Sequence, residues 1–310
     1  MRKRRCRTGP SRQPVRSRHS LPPTKIARPR LFALGGATIE TLGGPTTQFP
    51  WPTWAQRVDS VRPRAKTGDG SRPGSRGAVL LWDDTFVRYH EPHIGKAAVA
   101  VLEAAGFEVR LLYGRRCCGR PAFSQGNIEA AAAMGLHNLS LLESNEYRGL
   151  PILFLEPSCY SMFVEDYREM KLKGVENLRC FLFEEFLENL LAREPEAVLF
   201  RPRPRRVAIH AHCHAKSLLN LEFMPRLARR VPGHEVQLLQ SGCCGMAGAF
   251  GMLESKLELS IQIARPLVEQ IAAEPAGAVV VASGASCRHQ LEYLTPRHPY
   301  HMAELLAAAL

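Results

Sequence analysis

The chain has 310 residues, enough for one large or two medium domains to build cores that need neither a metal nor a disulfide to fold. At 45% hydrophobic and 23% charged, its composition excludes wholesale disorder and fibrous architectures. The net charge of +12 is concentrated at one end. Residues 1–77 carry 17 Lys and Arg against three acids, Glu40, Asp59 and Asp69, and the rest of the chain is near neutral.

Those first 77 residues contain ten Pro and nine Gly and show no sustained periodicity, which predicts a disordered basic arm. A mis-chosen start, an Arg-rich transit segment and a polyanion-binding tail are alternative explanations of it. No base-reading motif accompanies the arginines, so no specific nucleic-acid partner is expected. No apolar run approaches the roughly 20 residues that span a bilayer. The charged start has no apolar stretch behind it, so a secretory signal is not expected.

From Ala78 onward, short apolar strands alternate with helical patterns. Strands are predicted at Ala78–Trp82, Phe107–Leu112 and Pro151–Leu155, with helices over Ile94–Ala105, Ile128–Ser144, Tyr160–Met170 and Phe183–Arg193. The second half begins again with the strand Val207–Ala211, a helix around Ala215–Arg230 and the strand Glu235–Leu239. It continues with a helix over Leu253–Ala273, the strand Ala278–Ala282, and helices near Arg288–Tyr293 and His301–Ala309. This alternation predicts an α/β fold of two pseudo-repeated βαβ-type halves with mostly parallel sheets. The expected units are the arm (1–77), a first repeat (78–200) and a second repeat (201–310).

The repeat is visible in the cysteines. Cys117-Cys118-Gly119 recurs as Cys243-Cys244-Gly245, and Cys159, in Glu-Pro-Ser-Cys, recurs as Cys287, in Gly-Ala-Ser-Cys. Cys213 stands upstream of the second pair. Nine cysteines, an odd number, with two adjacent pairs, argue against a disulfide framework and for a reducing, cytoplasmic compartment. Thiols gathered where strands give way to helices lie where open α/β sheets bind ligands, and soft sulfur suits iron–sulfur clusters or Zn(II) alike. His210, His212 and His214 flank Cys213; ligation, proton shuttling and turn capping all remain open for them. Lys216 and Arg288 are candidates to balance an anionic group, with solvated surface the bland alternative. Cys180 reads as core and Cys6, in the arm, as incidental.

Together these motifs resemble the cysteine-rich CCG-domain proteins. The resemblance rests on both Cys-Cys-Gly triplets, Glu-Pro-Ser-Cys at 156–159, His-Cys-His-Ala-Lys at 212–216, the glycine-rich run at 243–251 and Ser-Cys-Arg-His-Gln at 286–290. That family includes the B chain of heterodisulfide reductase and the iron–sulfur subunits, or C-terminal parts, of FAD-linked glycolate, lactate and glycerol-3-phosphate dehydrogenases. The resemblance covers about residues 78–310 and is reinforced by Trp-Asp-Asp-Thr-Phe at 82–86. It implies an iron–sulfur electron-transfer module that accepts electrons from a flavin partner oxidising a 2-hydroxy acid or polyol phosphate. The family pattern has five cysteines per repeat. Here the second repeat keeps Cys213, Cys243, Cys244 and Cys287, with Gln290 at the closing position. The first keeps Cys117, Cys118 and Cys159, with Met162 at the closing position and Asp83 or Asp84 upstream.

The resemblance therefore implies a four-thiolate centre in the second repeat, of 4Fe–4S type, and a weaker or absent site in the first. A zinc-stabilised assembly domain without redox function is the alternative. The cubane-feeding run C-x2-C-x2-C-x3-C-P and the FAD-binding fingerprint are both missing from the sequence. A non-catalytic or partial component of an oxidoreductase is thus expected. Its expected partners are an FAD-linked dehydrogenase subunit and a ferredoxin-type subunit, with peripheral association at the inner face of a membrane through them.

Overall fold

The apolar runs at 79–82, 152–154, 207–210 and 280–282 become strands buried on both faces, as parallel strands covered by helices are, while the strands at 108–111, 179–182 and 234–238 stay partly exposed. The computed structural model describes residues 74–310, so the arm expected over residues 1–77 lies almost entirely outside the described residues. Residues 74–77 lead into the first strand, with Gly74 N and Arg76 N donating to Gly106 O.

In the first half, β1 (Ala78–Trp82) is followed by α1 (Thr85–Tyr89), α2 (Pro92–Ala104) and β2 (Glu108–Leu111). Then come α3 (Arg120–Ser124), α4 (Ile128–Leu142), β3 (Pro151–Phe154) and α5 (Pro157–Ser161). A π-helical turn (Met162–Asp166), α6 (Tyr167–Glu169), β4 (Arg179–Leu182) and α7 (Phe183–Arg193) complete it. The second half runs β5 (Arg205–His210), α8 (Cys213–Leu218), α9 (Phe223–Arg229), β6 (His234–Leu238), α10 (Leu257–Ala273), β7 (Val279–Ala282), α11 (Ala285–Leu294) and α12 (Met302–Ala307). The sheet orders are β2-β1-β3-β4 and β6-β5-β7, and every pairing is parallel.

The register makes the halves equivalent. Trp82 at the end of β1 pairs with Phe154, and His210 at the end of β5 pairs with Ala282. Both β1 and β5 are flanked on either side by strands that come later in the chain. The order therefore reverses there, and the crevice at their carboxyl ends is the place for a ligand.

Several elements differ from expectation. The helix expected from Tyr160 starts at Pro157, because Glu156 caps it and proline is well suited to a first helical position. The single helix expected around Ala215–Arg230 is two. Pro225 falls in the first turn of α9, where its missing N–H is not needed, and the chain breaks before it. The helix expected from Leu253 begins at Leu257, after short 3-10 turns at Phe250–Met252 and Glu254–Lys256. β4, α1 and α3 are too short to carry a periodic signal.

The halves exchange helices. α7 of the first packs on α9 of the second, and α12 of the second packs on α2 of the first. Glu188 on α7 accepts from Arg230 beside α9 at 2.9 and 3.0 Å, and His93 on α2 lies 3.5 Å from Glu304 on α12. His301 caps α12, and its Nε2 reaches the carbonyl of Leu155 at 3.0 Å. The main core accordingly runs across residue 200, joining β1, β3 and α7 to α9 and α12. A second cluster, including Leu239, Met246, Leu267 and Leu291, packs around Cys244 and Cys287.

Candidate metal centre

The three segments that carry the second-half cysteines meet at the carboxyl ends of β5 and β7. Cys213 is the first residue of α8, whose N-terminus is capped by His212 Nδ1 accepting from His214 N at 3.1 Å. Cys287 lies in the first turn of α11. Cys243 and Cys244 sit in the loop after β6, which Lys216 Nζ holds by donating to the carbonyls of Ser241 and Gly242. Gly245 must follow the pair: its φ is +84°, and a Cβ there would collide with the carbonyl of Ser260.

All four thiols are joined by contact, Cys213 to Cys243, Cys243 to Cys244, and Cys244 to Cys287. Hydrogen bonds from Cys213 and Cys244, with a further one from Gly245 N at 3.3 Å, pull the Cys243 thiol down to about 2. A hydrogen bond from Cys244, aided by His212 and His210, likewise holds Cys287 well below the ordinary thiol range against the cost of burial. Cys213 and Cys244, the donors of these bonds, move upward. His210 joins the site: its ring and the sulfurs of Cys244 and Cys287 offer three ligand atoms all within 4.8 Å of one another.

The first half gathers its three cysteines differently. Cys118 and Cys159 touch, Sγ to Sγ, at 3.2 Å, and Cys117 contacts Cys118. For Cys117, the hydrogen bond with Cys118 and burial both raise the thiol. For Cys159, the bond to Cys118 favours the thiolate, but burial and the neighbouring Asp84 carboxyl outweigh it, and the thiol moves up. Asp83 is fully engaged, bound by Arg88 at 2.7 and 3.0 Å and by Arg115 at 2.9 Å. Asp84 caps α1 through Oδ1, while its buried Oδ2 has no hydrogen-bond partner, and burial with nearby Glu156 lifts the carboxyl to about 7. By strand register Asp84 matches the cap His212, and Thr85 takes the place of Cys213. Met162 is wholly buried.

Glu156 stands between the two sites. Its Oε1 accepts from Ser158 N at 3.0 Å and Ser158 Oγ at 2.7 Å, capping the helix that carries Cys159. Its Oε2 accepts at 2.7 Å from Ala285 N, the first residue of the helix that carries Cys287. His212 Nε2, from the cap of the helix carrying Cys213, is 4.0 Å away. Burial works against the charge, but His212 and these hydrogen bonds hold the carboxyl below its usual range. The sequence showed Glu156 only as a letter in Glu-Pro-Ser-Cys. Its one visible signal was position, an acid directly before a proline at a helix start.

The remaining candidates have structural partners. His214 Nδ1 is bonded to Ser161 Oγ across the halves, and burial lowers its ring to about 4. Arg288 is buried and binds Glu91 at 2.6 and 3.0 Å and the carbonyls of Ala282 and Ser283. Cys180 lies in β4, with burial pushing its thiol to about 12.

The donor set fits a metal group in the second half: four converging thiols and a buried imidazole that stands beside the sulfurs of Cys244 and Cys287. The first half offers three thiols raised toward the neutral form, and no comparable set of donors within 4.8 Å of one another is found there among the described residues.

Two parallel-sheet halves, each delivering a Cys-Cys-Gly loop and a helix-borne cysteine to one edge, define a duplicated cysteine-rich α/β module. The pattern of the cysteine-rich CCG domain matches residues 84–164 and 207–292, just over half of the chain, and the protein belongs to that family. It is 31% identical over 237 residues to the C chain of the anaerobic glycerol-3-phosphate dehydrogenase of Escherichia coli (strain K12), covering 75% of this chain but 59% of that protein. It is 27% identical over 227 residues to lactate utilization protein A 1 of Bacillus mycoides (strain KBAB4), covering 69% of this chain and 90% of that protein. Lactate utilization protein A of Bacillus velezensis is 28% identical over 220 residues, covering 67% of this chain and 87% of that protein. Among the described residues, no helix is long and apolar enough to cross a membrane.

Proposed function

We propose that this chain is an iron–sulfur electron-transfer module of an oxidoreductase, with its metal group on Cys213, Cys243, Cys244 and Cys287. The observation that carries this reading is the convergence of those four thiols from three separate segments at the carboxyl ends of β5 and β7. A cluster bound there supplies one-electron exchange. The chain's own residues hold the site for it. Lys216 fixes the loop, Gly245 N donates toward the Cys243 sulfur, and Cys287 lies in the first turn of α11, where the helix dipole favours negative charge. Residues 78–200 and 201–310 are the two CCG repeats, and one metal group per chain is expected, in the second.

The names of the relatives, a dehydrogenase component and lactate utilization proteins, support a dehydrogenase partner acting on a polyol phosphate or 2-hydroxy acid, and a flavin on that partner is part of this proposal. A ferredoxin-type partner and a position at the cytoplasmic face of a membrane complete this reading. The test is iron, acid-labile sulfide and the visible spectrum of the full chain purified without oxygen. About four irons per chain with absorption in the visible are expected, and Cys244→Ser should abolish both. Stoichiometric zinc in a colourless protein overturns the electron-transfer reading in favour of a zinc-stabilised assembly domain.

A further inference from the structure

Three histidines surround Cys213, and two of them have settled partners. His212 caps α8 through Nδ1 and faces Glu156 through Nε2; His214 is turned to Ser161. His210 is different. It is completely buried at the end of β5, its Nδ1 lies 3.0 Å from Ser241 Oγ, and its Nε2 is buried with no oxygen or nitrogen partner, the ring lying instead against the Cys287 sulfur. An unsatisfied buried polar atom costs about 1–3 kcal/mol, so a native structure retains one where something else satisfies it.

The neighbourhood of the ring says what does. One of its nitrogens and the sulfurs of Cys244 and Cys287 all lie within 4.8 Å of one another, and Nδ1 is the nitrogen turned to Ser241. Ser241 is itself held, since its carbonyl accepts from Lys216, so its hydroxyl can fix the ring. With Nδ1–H donating to Ser241 Oγ, the lone pair is left on Nε2, the arrangement typical of a metal-ligating histidine, whose other nitrogen is held by a hydrogen bond. The first half provides a contrast. Strand register places Trp82 where His210 stands, and an indole N–H has no lone pair to give.

We propose that His210 Nε2 is a further ligand to the metal group held by Cys213, Cys243, Cys244 and Cys287, making the centre a mixed sulfur–nitrogen site. This deepens the function proposed above and rests on it. A neutral nitrogen donor leaves the centre with less negative charge than another thiolate would, which favours the reduced state and raises the potential, as histidine does where it replaces cysteine on iron.

The experiment uses the full chain, purified without oxygen and labelled with 15N in its histidine rings. Iron content and the visible spectrum are read first, then pulsed electron paramagnetic resonance of the paramagnetic redox state. A directly bound imidazole coupling is expected in the unaltered protein, unchanged in His212→Ala and lost in His210→Ala. The midpoint potential should move to a more negative value in His210→Cys, where an anionic sulfur replaces the nitrogen. The key measurement is on the unaltered chain, so it does not depend on any variant folding. An iron-loaded protein without histidine coupling, or a coupling that survives His210→Ala, removes the inference and leaves the four-thiol reading intact. Iron-free, colourless protein removes both.

Discussion

Glu156 shows how much can depend on one buried side chain. Its two oxygens serve helices from both halves, and its charge faces the cap of a third. In Glu156→Gln, an amide NH2 would be set against either Ser158 N or Ala285 N, donor against donor. A loss of about 1–3 kcal/mol is expected in urea unfolding, and a larger loss in Glu156→Ala, which leaves both backbone donors bare. The cysteines were legible in the sequence because their chemistry is written in residue type and recurring spacing. Glu156 was not, because what gives it meaning is Ala285, 129 positions away. The histidines were visible as a group, but only burial and hydrogen bonding separate His210, with its open nitrogen, from His212 and His214.

At the scale of elements, strand–helix alternation was readable because parallel strands buried on both faces are continuous apolar runs. What escaped was governed by local exceptions: β4 is four residues leading straight into α7, and Pro225 divides one apparent helix into two. The loop bearing Cys243 and Cys244 offers a paired test of how tightly an element is specified. Gly245→Ala forces a side chain into the left-handed region and against the Ser260 carbonyl. It is expected to cost about 2 kcal/mol or more and to lower metal content by displacing the adjacent thiols. Gly242→Ala, three residues earlier, meets nothing within 4 Å and has no unusual φ, so it should melt and bind metal like the unaltered protein. Equal behaviour of the two variants would contradict this account of the loop.

For the whole molecule, the seam between the halves carries buried acids whose protonation is tied to folding. Burial pushes Glu184, which accepts from Ser283 Oγ across the seam, up to about 7. A carboxyl raised in the folded state makes its full contribution to stability below the ordinary carboxylate range, and loses it as pH rises through about 7. Glu184→Gln should therefore match the unaltered chain near pH ~4.5 and become more stable by up to about 3 kcal/mol above pH ~7. The readout is the gap between two pH series of denaturant midpoints. A constant gap across the range would show that Glu184 does not titrate with folding.

The duplicated order of strands was legible at this scale, but the exchange of helices was not. Nothing in a linear pattern says that α7 will lie on α9, or α12 on α2. That exchange has a consequence for synthesis. As the chain leaves the ribosome, the first sheet is complete by Leu182, yet the apolar face of α2 waits for Met302, Leu305 and Leu306, more than a hundred residues later. The earlier half is thus made first but sealed last. A nascent chain stopped just short of Met302 would hold both cysteine edges while the older of its two cores stood open to water.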